Sequence, residues 1–131
     1  MNLLDHLSIT VRDLSACAPF YKAVMAVLGA PLVYEREDAI GFGERNRAHD
    51  DGHSYLSVFQ SPAATPDPRR HVCLRAASRA QVEAFHAGGL AAGGSDAGAP
   101  GSRTHYHPEY YAAFLFDPEG NKLEAVFHRT A

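Results

Sequence analysis

Polar and apolar residues alternate over residues 3–12 (LLDHLSITVR), with Leu3, Leu7, Ile9 and Val11 on one side and His6, Ser8 and Thr10 on the other. That two-residue period predicts a half-buried strand. The period then changes: Leu14, Cys17, Phe20, Tyr21, Val24 and Leu28 recur every three or four residues, Asp13 stands where an N-cap belongs, and Gly29 stops the pattern. A helix is expected there, with Pro19 in its first two turns, where proline is better tolerated than in the middle. Short strands are expected at about 31–37, 39–43 and 53–60. The segment 61–69 (SPAATPDPR) carries three prolines and reads as an extended linker.

The second half repeats the first. HVCLRA (71–76) reads as a strand, Ser78 to Gln81 as a capping box, and Val82, Phe85 and Leu90 as the apolar face of a helix ended by Gly93-Gly94. Strands are expected at about 94–98, 110–116 and 121–128, the last two joined by a type I turn at Asp117-Pro118-Glu119-Gly120. His6 and His71, Phe20 and Phe85, and Gly29 and Gly94 are each 65 residues apart. An internal duplication accounts for the three matches in one register. The expected organisation is one α+β domain: module one at 1–60, a linker at 61–69 and module two at 70–131, each module running strand, helix, three strands.

Composition narrows the function. The chain has 131 residues, 46% hydrophobic and 21% charged, with a formal charge of −3. It carries no Lys/Arg block of the kind that phosphate backbones require, so nucleic acid is not an expected partner. No run of apolar residues approaches a membrane span, and residues 1–12 lack the apolar core of a signal peptide, so a cytoplasmic location is expected. Cys17 and Cys73 show no paired spacing and are expected to be buried and reduced.

Strand parity identifies candidate chemistry. His6 lies opposite the Leu/Ile/Val face of its strand; Val72 and Leu74 take the buried face of theirs, leaving His71 with Cys73 and Arg75. In Lys122–His128, Leu123, Ala125 and Phe127 share one face and Glu124 takes the other. Two imidazoles and a carboxylate form a facial set with open positions, catalytic rather than structural in character.

The opening DHLSITVRDL, the helix with Phe20-Tyr21, the mid-chain HVCL and the closing DPEGNKLEAVF together resemble the vicinal oxygen chelate superfamily, which includes glyoxalase I, extradiol dioxygenases, fosfomycin-resistance enzymes and bleomycin-binding proteins. The resemblance implies two βαβββ modules forming an open eight-stranded cup, a homodimer, and one divalent metal ion (Fe, Mn, Ni, Co or Zn) on His6, His71 and Glu124. Glyoxalase I carries a further carboxylate on the last strand of its first module. His53–Gln60 has none, its nearest counterpart being Ser57, so three-ligand members are the better match. The expected activity is metal-dependent chemistry of dioxygenase, lyase or isomerase type on a small oxygen-bearing molecule. The alternative is a non-catalytic binding protein of the bleomycin-resistance kind.

Residues 101–111 (GSRTHYHPEYY) are rich in His and Tyr just before a strand that should line the cup. His105, His107 and Tyr111 are the candidates for proton transfer, and Arg103, Tyr110, Tyr55 and Ser57 for substrate contact. His49 and His53 beside Asp50 and Asp51 read as a solvated loop, and His86 and His128 as facing solvent.

Overall fold

The computed structural model describes residues 1–67 and 69–129. The chain runs β1 (His6–Val11), α1 (Leu14–Val27), β2 (Leu32–Glu35), β3 (Ala39–Gly43), β4 (Tyr55–Gln60), β5 (His71–Arg75), α2 (Arg79–Ala91), β6 (Ser95–Ser102), β7 (Tyr111–Phe116) and β8 (Lys122–Phe127). The order strand, helix, three strands appears twice, as the periodicity predicts. The eight strands form two four-stranded mixed sheets, β1-β4-β3-β2 and β5-β8-β7-β6. In each sheet the first and last strands of the module run parallel at one edge, and β1 and β5 each leave one side without a partner strand.

The duplication is visible in the local chemistry. Asp13 caps α1 by accepting from the Ala16 amide, and Ser78 caps α2 by accepting from the Gln81 amide. These caps stand 65 residues apart, like the strand histidines and the two fully buried helix phenylalanines, Phe20 and Phe85. The third sequence pairing slips by one residue. Gly29 and Gly93, with φ of 77° and 102°, leave their helices through the left-handed region, so Gly93, not Gly94, matches Gly29. Helix α2 is one residue shorter than α1. Strand β6 runs past the expected 94–98 because glycine- and proline-rich residues pair along β7 without an apolar period to announce them.

One core serves both modules. Ile9, Val11 and Val58 of the first sheet, Leu115, Leu123 and Ala125 of the second, and the inward residues of both helices belong to a single buried cluster. Each deeply buried aliphatic or aromatic side chain of this kind contributes about 1.5–3 kcal/mol. A polar clamp also ties the modules. The β7–β8 turn presents Glu119 to the amides of Arg12 and Asp13, and the buried Asp117 carboxylate accepts from the Tyr21 hydroxyl at 2.5 Å. Asp117 also accepts from the Glu119 and Asn121 amides and the Asn121 side chain, so the buried charge is fully hydrogen-bonded. The 117–120 turn closes with the Gly120 amide on the Asp117 carbonyl.

Candidate functional site

With the apolar faces of both sheets committed to the shared core, the opposite faces carry the polar candidates. On the second sheet, cross-strand register sets Cys73 opposite Glu124 and Glu124 opposite Phe114, with His71 opposite Lys122. Glu124 is 2% exposed. A carboxylate so removed from water must be hydrogen-bonded or bound to a cation. Two side chains meet it: His71 Nε2 stands 3.2 Å from Oε1, and the Tyr110 hydroxyl donates to Oε2. Withdrawal from water, then the Glu124 carboxylate, pushes the Tyr110 hydroxyl well above the usual phenol range. The same two causes push the Cys73 thiol up to about 12. Cys73 is exposed, contrary to the expectation for both cysteines; only Cys17 is buried, and neither forms a disulfide.

On the first sheet, His6, Tyr55 and Ser57 share a face, as the parallel register of β1 and β4 requires. The His6 ring stacks on Tyr55 (centroids 5.1 Å, 17° between planes), and its Nδ1 faces Asp5 Oδ1 at 2.7 Å. The other Asp5 oxygen accepts from Asn46, which also clamps the His53 backbone through its amide and carbonyl. A carboxylate on Nδ1 directs the Nε2 lone pair outward, the form in which a histidine binds a metal. Ser8 pairs with Ser57 as Cys73 pairs with Glu124, so Ser57 occupies the position that corresponds to Glu124 in the second module. Ser57, expected as a substrate contact, is covered. It is 4% exposed beneath Tyr34, whose hydroxyl donates to it at 2.7 Å and whose ring lies across Gly41, where a Cβ would come within 2.2 Å. Arg45 rests over the Tyr34 and Tyr55 rings.

The donor set suits a divalent ion. Two ligands bound at right angles with bonds of about 2.1 Å stand about 3.0 Å apart, close to the His71–Glu124 separation. The third candidate is not with them. Among the described residues, the one group of three potential ligand atoms within 4.8 Å of one another is Glu44, Asp50 and His53. In that loop His53 faces Glu44 through Nδ1 and Asp50 through Nε2, so the ring is held from both sides and the loop is closed instead of merely solvated. A cleft of about 530 Å³ between the modules is lined by His6, Leu7 and Phe42 and by Val72, Leu74 and Val126, but not by His71 or Glu124.

The His-Tyr segment divides. Tyr110 reaches Glu124, whereas Tyr111 shares the core-facing parity of Ala113 and Leu115, bonds Glu83 of α2 and stacks under Arg79. Tyr111, expected as a catalytic candidate, faces α2 instead of Glu124, because strand alternation gives it the parity of Ala113 and Leu115. His107 Nδ1 accepts from the Glu109 amide, which places a proton on Nε2; that nitrogen donates to His128 Nδ1 at 2.9 Å, and the Tyr110 ring packs edge-on against both. His128 is exposed as expected, but His86 is 12% exposed and bonded to Asp96. The His105 ring lies tilted against Tyr106 at the exposed end of the segment. Arg103 turns back over Phe114. Asp5, Asn46, Tyr34, Arg45 and Lys122 escape sequence reasoning; only the adjacency of Asp5 to His6 offered a signal.

Comparison with known proteins agrees with this architecture. A glyoxalase/bleomycin resistance protein from Albidiferax ferrireducens T118 superposes with a TM-score of 0.79 and 28% identity, over 98% of this chain and 100% of that one. A glyoxalase/bleomycin resistance protein/dioxygenase family enzyme from Burkholderia phytofirmans PsJN gives 0.70 and 21%, over 98% and 100%, and a glyoxalase-related enzyme from Fulvimarina pelagi gives 0.69 and 17%, over 97% and 88%. These last two show the fold alone. No functionally curated protein matches the chain. The family model matches residues 3–125, and the chain belongs to the Glyoxalase/Bleomycin resistance protein/Dioxygenase superfamily.

Proposed function

We propose that this chain is a divalent-metal-dependent enzyme whose site is completed by a second copy, His6 of one chain joining His71 and Glu124 of the other. The observation that carries the reading is the 3.2 Å separation of His71 Nε2 and Glu124 Oε1 on a face turned away from the core. His6, already oriented by Asp5, is the matching donor that a single chain does not bring to them. The unpaired edges of β1 and β5 and the cleft between the modules are where the second copy packs. Superfamily members bind small molecules and often form dimers.

When bound, a divalent ion here supplies Lewis acidity toward a substrate oxygen, while leaving positions open. The chain's own groups handle the proton. Tyr110 keeps its proton at neutral pH, because burial and Glu124 oppose its loss, so it acts as a hydrogen-bond donor and not as a base. The His107–His128 pair, its tautomer fixed by the Glu109 amide, offers a directed path from beside the Tyr110 ring to solvent. His105 lies beyond this pair. The substrate is a small oxygen-bearing molecule, and the chemistry is of dioxygenase, lyase or isomerase type.

Metal content of protein purified without chelator tests the reading: the expectation is about one divalent ion per chain and a higher Tm on adding Mn, Fe, Ni, Co or Zn. Less than about one tenth of an equivalent, with no thermal gain, would overturn it. The aromatic cluster of His105, Tyr106 and Tyr110, exposed at its first two members, favours a second reading, a binding protein that stacks a planar compound without turnover. That protein would bind its ligand with no metal present.

A further inference from the structure

On the face that carries Glu124, the Phe114 ring is flanked by two cations. Lys122 Nζ lies 5.0 Å from the ring centroid and the Arg103 guanidinium carbon 5.6 Å, while the His71 ring stands 6.4 Å away. The backbone is shaped to admit Arg103. A Cβ at Gly98 would come 2.8 Å from Phe114 Cδ2 and 3.4 Å from Arg103 Nη2, and one at Gly101 would come 3.1 Å from Nη1. With those two glycines in β6, the arginine folds back across the strand, pinned by Nη2 donating to the Ala99 carbonyl at 2.7 Å.

Neither cation has a carboxylate partner among the described residues. Lys22, Arg36 and Arg47 on the outer surface do, pairing with Glu35, Asp38 and Glu44. Glu124, the carboxylate across the sheet from Phe114, is taken by His71 and Tyr110. Two like charges drawn to one aromatic ring repel each other unless an anion joins them. The first module has a similar device beside its own histidine: Arg45 rests on Tyr55, whose ring also stacks with His6. It too has no carboxylate partner among the described residues. In a chain of net charge −3, cations resting on aromatic rings thus lie beside both candidate ligand histidines.

We propose that Arg103 and Lys122, gathered around Phe114, form an oxyanion subsite that holds a carboxylate, phosphonate or sulfonate on the substrate. The proposal rests on the reading of His71 and Glu124 as the adjacent reactive centre. The substrate is then a small molecule with a chelating oxygen at one end and an anionic group one aromatic ring's width away. Arg103 presents a planar fork suited to such a group, and Lys122 a point charge.

The test is calorimetric titration of the full-length protein, both metal-free and Mn-loaded, with phenylphosphonate, benzoate, benzenesulfonate and neutral benzyl alcohol. Wild type is expected to bind at least one of the three anions at least about tenfold more tightly than benzyl alcohol, with affinity falling as salt rises. Arg103→Gln and Lys122→Gln are each expected to lose about tenfold in anion affinity, and Arg103→Lys to recover part of it, with circular dichroism unchanged. Equal binding of benzyl alcohol, or anion binding untouched in both glutamine variants, overturns the subsite. Anion binding lost in Arg103→Gln in a protein that takes up no metal supports the subsite and sinks the metal reading. Metal uptake without anion preference does the reverse.

Discussion

Replacing Glu124 with Gln separates a metal ligand from a structural carboxylate. The amide has nearly the same shape, and its oxygen still accepts from Tyr110 or His71, so the metal-free fold retains its packing. A carboxylate that is 2% exposed carries a desolvation penalty of several kcal/mol that the neutral amide avoids. Metal-free stability should therefore hold or rise in Glu124→Gln. The metal-dependent part behaves oppositely. An ion at 100 times its Kd stabilises the native state by about 2.7 kcal/mol, which for a domain of this size raises Tm by roughly 8–11 °C. Thermal unfolding with and without excess Mn or Ni reads both quantities. Wild type should show the rise, and the variant should lose nearly all of it. A variant destabilised by more than about 2 kcal/mol without metal, yet still stabilised by metal as wild type is, would refute the reasoning.

Other outcomes follow from particular contacts. Tyr21→Phe removes the hydroxyl from a fully buried ring and leaves Asp117 three donors; urea unfolding should show a loss of about 1.5–3 kcal/mol, and no loss would mean the clamp between the modules does not hold them. Asp5→Asn should weaken metal binding about tenfold by titration while sparing the fold, because it loosens the His6 tautomer; unchanged affinity removes Asp5 from that role. The Cys73 thiol, with its pKa pushed up to about 12, is protonated below that pH, and its thiolate appears only as pH rises through it. Alkylation at pH 8 should run about three orders of magnitude below that of a free thiol, roughly in line with the thiolate fraction, and should speed up in Glu124→Gln. A rate like that of a small-molecule thiol contradicts the assigned environment.

Much of this architecture is legible in the alternation of side chains. The two-residue period places His6, His71 and Glu124 on faces opposite the core, because a strand must turn Ile9, Leu74 or Leu123 inward. The repeat then supplies the second module, and the sheet register gives Ser57 the place of Glu124. What escapes the sequence depends on contacts between distant loops. Nothing local tells that Asn46 reaches Asp5, that Tyr34 covers Ser57, or that Arg103 folds back onto Phe114. Strand β6 (SDAGAPGS) lacks an apolar period because it is an edge strand whose glycines accommodate neighbouring side chains. Tyr110 and Tyr111 part because strand alternation turns Tyr111 to the core side with Ala113 and Leu115, a parity already present in YAAFLF.

The account rests on a site shared between copies, and subunit complementation tests it most directly. His6→Ala and Glu124→Ala chains, each purified and each expected to take up no metal, are mixed, allowed to exchange subunits, and assayed for bound metal per chain. In a two-fold dimer with shared sites, the mixed dimer pairs an intact His6 with an intact His71 and Glu124 once, restoring about a quarter of the wild-type sites. No metal recovered, in a mixture shown by mass spectrometry to contain the mixed dimer, would contradict it.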